Sequence, residues 1–168
     1  MDDTESERLG RVAWPSRMYL ELLLPEREPA VHIAFSWFGK AANRLPEALW
    51  LSFIPDAPDP RAWMLEKVDR PVSPFDVVAG GNRHMHAISN TVSYRDASAT
   101  FVIESVDAPV VALGEKSPIH YSNDQPDLQK GLHFSLFNNA WGTNYPQWFG
   151  EDMRFRFSLR FAPPATLR

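Results

Sequence analysis

The sequence predicts an all-β chain, an antiparallel β-sandwich with little helix, and three observations carry that expectation. Apolar and polar residues alternate with a period of two in several short runs, the signature of half-buried strands. Fifteen prolines against eight glycines punctuate the chain too often for long helices. The runs recur at short spacing between turn-like segments, as in sandwiches and barrels. With 168 residues and 44% hydrophobic content, the chain suits one domain with a real core. We assign that domain to residues 14–162, with tails at 1–13 and 163–168.

The first strand lies in "MYLELLL", with Met18, Leu20, Leu22 and Leu24 inward. The second, "VHIAFSWF", turns Val31, Ile33, Phe35 and Trp37 inward and forms a hairpin with the first across "PEREPA". "EALWLSFIP" is apolar on both sides, with Leu49, Leu51 and Phe53 opposite Trp50 and Ile54, and this predicts a strand in the middle of a sheet. "AWMLEKV", "FVIESV" and "HFSLFN" supply further strands. "MRFRFSLRF" is the clearest, with Met153, Phe155, Phe157, Leu159 and Phe161 on one face and Arg154, Arg156, Ser158 and Arg160 on the other. "PDAPDP", "RPVSPFD", "GEKSP" and "SNDQPD" are turn chemistry. About nine strands are expected in all, by the spacing of such runs.

A net charge of −4 without any basic tract excludes general nucleic-acid binding, which needs Lys and Arg against phosphate. There is no Cys, hence no disulfide, no thiolate metal site and no Cys nucleophile. The acidic start "MDDTESERLG" lacks the basic, then apolar, pattern of a secretory signal, and no apolar run reaches membrane-spanning length. The expectation is a soluble protein without a membrane partner, cytoplasmic by default, with the compartment otherwise open.

His84 and His86 stand two apart and would share a strand face, but a metal site needs a third ligand. His120 is the nearest candidate, and its spacing fixes nothing, so neither metal nor cofactor is expected. A sugar epimerase would need a general acid facing a base, for which His86 or His120 could pair with Glu104. A glycosidase dyad would need two carboxylates at defined separation, and no motif links any two of Glu47, Glu104, Asp107, Asp124, Glu151 and Asp152. The arginines of the last strand either select an anion or pair with carboxylates on neighbouring strands, and the second is the commoner arrangement.

The segment "HFSLFNNAWGTNYPQWFGEDMRFRFSL" abandons strand alternation in its middle while keeping large rings. Trp141, Tyr145 and Trp148 beside Asn138, Asn139 and Asn144 would make a platform for the apolar faces and hydroxyl rims of a sugar. Alternatively the rings plug one end of the sandwich, and the amides satisfy loop backbone that burial would leave unpaired. On the plug reading, truncating Trp141 or Trp148 to alanine costs about 3 to 5 kcal/mol.

Together with "FSWFGKAANRLPEALWLSF", "GGNRHMHAIS" and "IESVDAPVVALGE", that segment resembles the C-terminal region of an uncharacterised family of bacterial and fungal proteins. The family is related to family-38 glycoside hydrolases, the α-mannosidase group, and the similarity covers most of Trp14 to Phe161. The resemblance implies a longer protein: an N-terminal (β/α) barrel with a metal and a carboxylate nucleophile, then β-sandwich domains of the kind also seen in galactose-mutarotase-like folds. This chain has no region resembling the barrel, so the expectation is a noncatalytic sandwich that supports a sugar-processing site or binds carbohydrate. A self-contained mutarotase, epimerase or lyase is the alternative. In "KAANRLPE", Lys40, Asn43, Arg44 and Glu47 either border a sugar cleft or form an ion-paired turn. The expected partners are carbohydrate, an upstream catalytic domain or a second copy of the chain, since a missing neighbour would leave "MYLELLL" as an exposed edge.

Overall fold

A computed structural model describes residues 13–119, 122–141 and 148–162. Among them the chain is an antiparallel β-sandwich of two sheets, with helix limited to two single 3-10 turns at Pro60–Ala62 and Leu128–Lys130. Eleven strands are formed in place of the expected nine or so: β1 (Arg17–Leu23), β2 (Ala30–Phe38), β3 (Ala48–Phe53), β4 (Trp63–Lys67), β5 (Arg70–Val72), β6 (Met85–Ala87), β7 (Thr91–Arg95), β8 (Thr100–Ser105), β9 (Val110–Leu113), β10 (Leu132–Asn138) and β11 (Met153–Ala162). The unexpected ones include β5 and β6, three residues each, too short to show a period.

The larger sheet has seven strands in the order β1-β2-β11-β8-β7-β4-β5, and the smaller has four in the order β3-β10-β9-β6. Inward alternation from both builds the core. Trp37, Trp63, Tyr94, Phe134 and Phe157 are all buried, with Phe53 of β3 reaching Phe157 of β11 at 5.6 Å between ring centroids. In β11 the alternation puts Phe155 and Phe157 in the core and leaves Arg154, Arg156 and Arg160 exposed, but Phe161, expected on the inward face, is exposed near the end of the strand. Those arginines meet carboxylates: Arg156 grips Asp107 with two nitrogens, at 2.9 and 2.8 Å, Arg160 lies 3.5 Å from Glu104, and Arg154 lies 3.9 Å from Glu21.

Two expectations are corrected. Among the described residues β3 is an edge strand, paired with β10 alone, and it is half-buried along its whole length. The β1–β2 hairpin forms as expected, from Arg17 opposite Phe38 to Leu23 opposite His32, yet every residue of β1 is exposed. Met18, Leu20 and Leu22 do share the inner face with Trp37, Phe35 and Ile33 across the pair. The smaller sheet does not reach over them: its edge strand β3 packs on β11, and β1 lies two strands farther out.

In β10 the register slips by one residue between Ser135 and Phe137, a β-bulge. The extra residue lets both Leu136 and Phe137 join the core, and it sets the direction in which Asn138 and Asn139 leave the strand.

Candidate functional site

The residues singled out at the loop end of the sandwich fall into different roles. Asn139 is consumed by the fold. Its side-chain oxygen accepts from the Glu47 amide, and its side-chain nitrogen donates to the carbonyls of Asn43 and Leu45 at 3.1 and 3.0 Å. Its backbone amide adds a bond to the Glu47 carbonyl, so β10 and the 43–47 loop are pinned together. Asn138 closes a local turn by accepting from the Ala140 amide at 3.2 Å. Asn144 and Tyr145 lie outside the described residues, as does His120.

The loop that Asn139 holds is organised around a buried ion pair. Lys40 Nζ lies 2.7 Å from Glu47 Oε2, with the two side chains 2% and 10% exposed. Asn43 donates to the other Glu47 oxygen at 3.0 Å, and the ammonium also sits 5.0 Å from the centre of the Phe137 ring. Of the two readings of "KAANRLPE", the geometry is that of the ion-paired turn.

The tryptophans do not plug the end. Trp141 is 37% exposed and donates its indole N–H to the Pro118 carbonyl. Trp148 is 47% exposed, with the Arg44 guanidinium carbon 4.4 Å from its ring centre. Rings so open lose far less on truncation than the buried-aromatic cost expected of a plug.

A concave surface that the sequence reading missed lies on the outer face of β1, β2 and β11. Two successive outward positions of β2, Ala34 and Ser36, are small, and Ser36 is flanked by Tyr19 on β1 and Arg154 on β11. A small residue between two long ones makes a furrow along β2. It comprises a trough of about 400 Å³ lined by Arg17, Tyr19, Glu21, Ser36 and Phe38, and an adjoining one of about 370 Å³ that shares Glu21, Ser36 and Phe38. The second is also lined by Asp152 and Arg154. Tyr19 is half exposed and meets Phe38 edge to face at 5.7 Å, and Asp152 is fixed by accepting from the Gly39 amide at 2.7 Å. The signal was the small-residue alternation within "HIAFSW", hidden because attention goes to the apolar partners of the same pattern.

A second concavity, of about 260 Å³, is lined by residues that include Lys67, Ser73, Asp76, Asn82 and His86. His86 is buried, and its Nε2–H donates to the Arg83 carbonyl at 3.1 Å, which leaves Nδ1 as the acceptor. Burial, with help from the Lys67 charge, lowers the His86 pKa, and burial lowers that of Lys67. Glu104, expected as a partner for His86, is instead beside Arg160 on the larger sheet, and it is absent from the lining of this cavity. Among the described residues, no group of three or more His, Cys, Asp or Glu is placed to hold a metal, and no helix is long and apolar enough to cross a membrane.

Burial also lowers the pKa of His133, whose Nδ1 lies 2.8 Å from Ser52 Oγ. When a folded His has a lowered pKa, the unfolded chain takes up protons that the fold refuses. Stability is then full above the ordinary His pKa of about 6.5 and declines as the pH falls through it. Thermal unfolding followed from about pH 7.5 down to about pH 5.5 should therefore show a falling Tm. The decline should be shallower in the His86→Gln, His133→Gln double variant, and equal slopes would contradict the assignment.

Comparison with protein-family models gives no match, and a search of curated proteins gives none either.

Proposed function

We propose that this protein is a noncatalytic β-sandwich that binds carbohydrate, serving as the C-terminal portion of a glycosidase-like protein whose sugar-processing site it supports. The observation that carries the binding role is the furrow along β2. Its floor is small and flat at Ser36, Tyr19 offers a half-exposed ring for the apolar face of a sugar, and Glu21, Asp152 and Arg154 offer charged hydrogen-bonding groups for hydroxyls. Its volume falls in the range of small-ligand sites. The glycosidase connection rests on the resemblance of the four quoted segments.

NMR titration of the isotope-labelled chain with mannosides and a panel of other glycosides tests the binding role. Shifts should concentrate on Tyr19, Ser36 and Arg154. Tyr19→Ala should weaken binding by at least about tenfold, or about 1.4 kcal/mol. Shifts confined to Trp141 and Trp148 would move the site to the loop end, and no shifts with any glycan would sink the proposal.

The second reading, a self-contained mutarotase, epimerase or lyase, draws its support from the cavity holding Lys67 and His86. Two basic side chains in one concavity, each with its pKa lowered chiefly by burial, suit proton transfer. Sugar mutarotation accelerated by the wild-type chain and abolished in His86→Gln would favour this reading over the first.

A further inference from the structure

The edges of the larger sheet are treated unequally. At one end β5 is three residues long and contains Pro71, so it offers little to a second strand. At the other end β1 runs seven residues, has no proline, and carries charge only at Arg17 and Glu21. Met18, Leu20 and Leu22 on its inner face are each more than half exposed, and the smaller sheet stops short of them. A long, apolar and unguarded edge strand is a template for pairing.

The pattern of charge on β1 selects the occupant. We infer that β1 pairs antiparallel with β1 of a second copy of this chain, with Tyr19 on the two-fold axis. A two-fold axis normal to the sheet keeps inner face beside inner face, so only registers centred on a residue are allowed. With Tyr19 on the axis, Arg17 falls directly opposite the partner copy's Glu21, twice over, and Met18 falls opposite the partner copy's Leu20. Opposite charges facing across a strand pair stabilise it. Centring on Glu21 would oppose two glutamates, and centring on Leu20 would set Arg17 against a leucine. The strand is thus self-complementary in one register. Pairing joins the two larger sheets into one and gathers the exposed inner-face side chains of both copies into a continuous apolar strip. The outer-face furrows of the two copies then adjoin across the same axis.

Light scattering and sedimentation over a concentration series test the dimer, and charge exchange tests its register. The wild-type chain should be a dimer, Arg17→Glu and Glu21→Arg should each be monomeric, and the Arg17→Glu, Glu21→Arg double variant should dimerise again. Because the chain has no Cys, a single introduced thiol reports position without interference. Tyr19→Cys should form a disulfide-linked dimer on mild oxidation, whereas Leu23→Cys, eight positions from its own copy in this register, should not. A wild-type chain that stays monomeric at all concentrations would overturn the inference and assign the edge to a different polypeptide. Single charge variants that dimerise like wild type, or cross-linking at position 23 in preference to 19, would overturn it as well. None of these readouts depends on carbohydrate binding.

Discussion

Trp37→Ala should lower the unfolding free energy by about 3 to 5 kcal/mol, the cost of emptying a large buried aromatic site. Trp37 is fully buried on β2, packs against Phe155 at 5.2 Å between ring centroids, and donates its indole N–H to the Glu151 carbonyl at 3.0 Å. Truncation therefore removes packing and also strands a carbonyl that fixes the approach of the chain to β11. Trp37→Phe separates the two in part, since it keeps one aromatic ring in the site while losing the donor and some of the volume. It should cost markedly less than Trp37→Ala. Urea denaturation of both variants checks this, and equal losses would mean that the hydrogen bond dominates the packing.

Glu47→Ala should be comparably damaging, at about 3 to 5 kcal/mol, because it leaves the Lys40 ammonium buried without its counter-ion. The Asn43 side chain and the Ala13 amide, 3.0 and 3.3 Å from Glu47 Oε1, would lose their acceptor together with it. Removing the charge on both sides should recover part of the loss, since a buried ion pair replaced by apolar side chains is often nearly neutral. The Lys40→Met, Glu47→Leu double variant should accordingly be more stable than Glu47→Ala alone. Chemical denaturation of this double variant beside the single variants Lys40→Met and Glu47→Leu gives the coupling, and simple additivity would show that Lys40 and Glu47 act independently.

What the sequence revealed of this fold followed from how far each side chain's fate is set locally. β11 was legible because its apolar face meets the core along most of its length, so alternation and burial agree at Phe155 and Phe157. β1 has the same alternation and none of the burial, since whether Leu20 is covered depends on how far the opposite sheet extends, a long-range fact with no local trace. β3 was misplaced for a related reason: apolar residues on both faces are compatible with a central strand and with an edge half-covered on each side. At the loop end, the amide and aromatic composition was visible but its use was not. Asn139 looks identical in sequence whether it faces a ligand or, as here, closes three bonds to the 43–47 loop. The furrow was overlooked because it is made by smallness, and Ser36 matters only once Tyr19 and Arg154 are known to flank it.

The bulge in β10 makes the loop end a matter of phase. Strand residues before Ser135 are timed by their pairing with β3, and everything after Phe137 runs one residue late relative to that clock. Asn139 reaches Glu47 only because of this delay, so the pinning of the 43–47 loop is inherited from a miscount inside the sheet. Losing the bulge while keeping every residue, so that Leu136 paired with Leu49, would place Phe137 opposite Ala48 and carry Asn139 one position past Glu47. Lys40 and Glu47 would remain untouched in sequence and lose the anchor that holds their loop closed. The closure of that loop therefore depends on the spacing of the strand beneath it as much as on the residues of the loop itself.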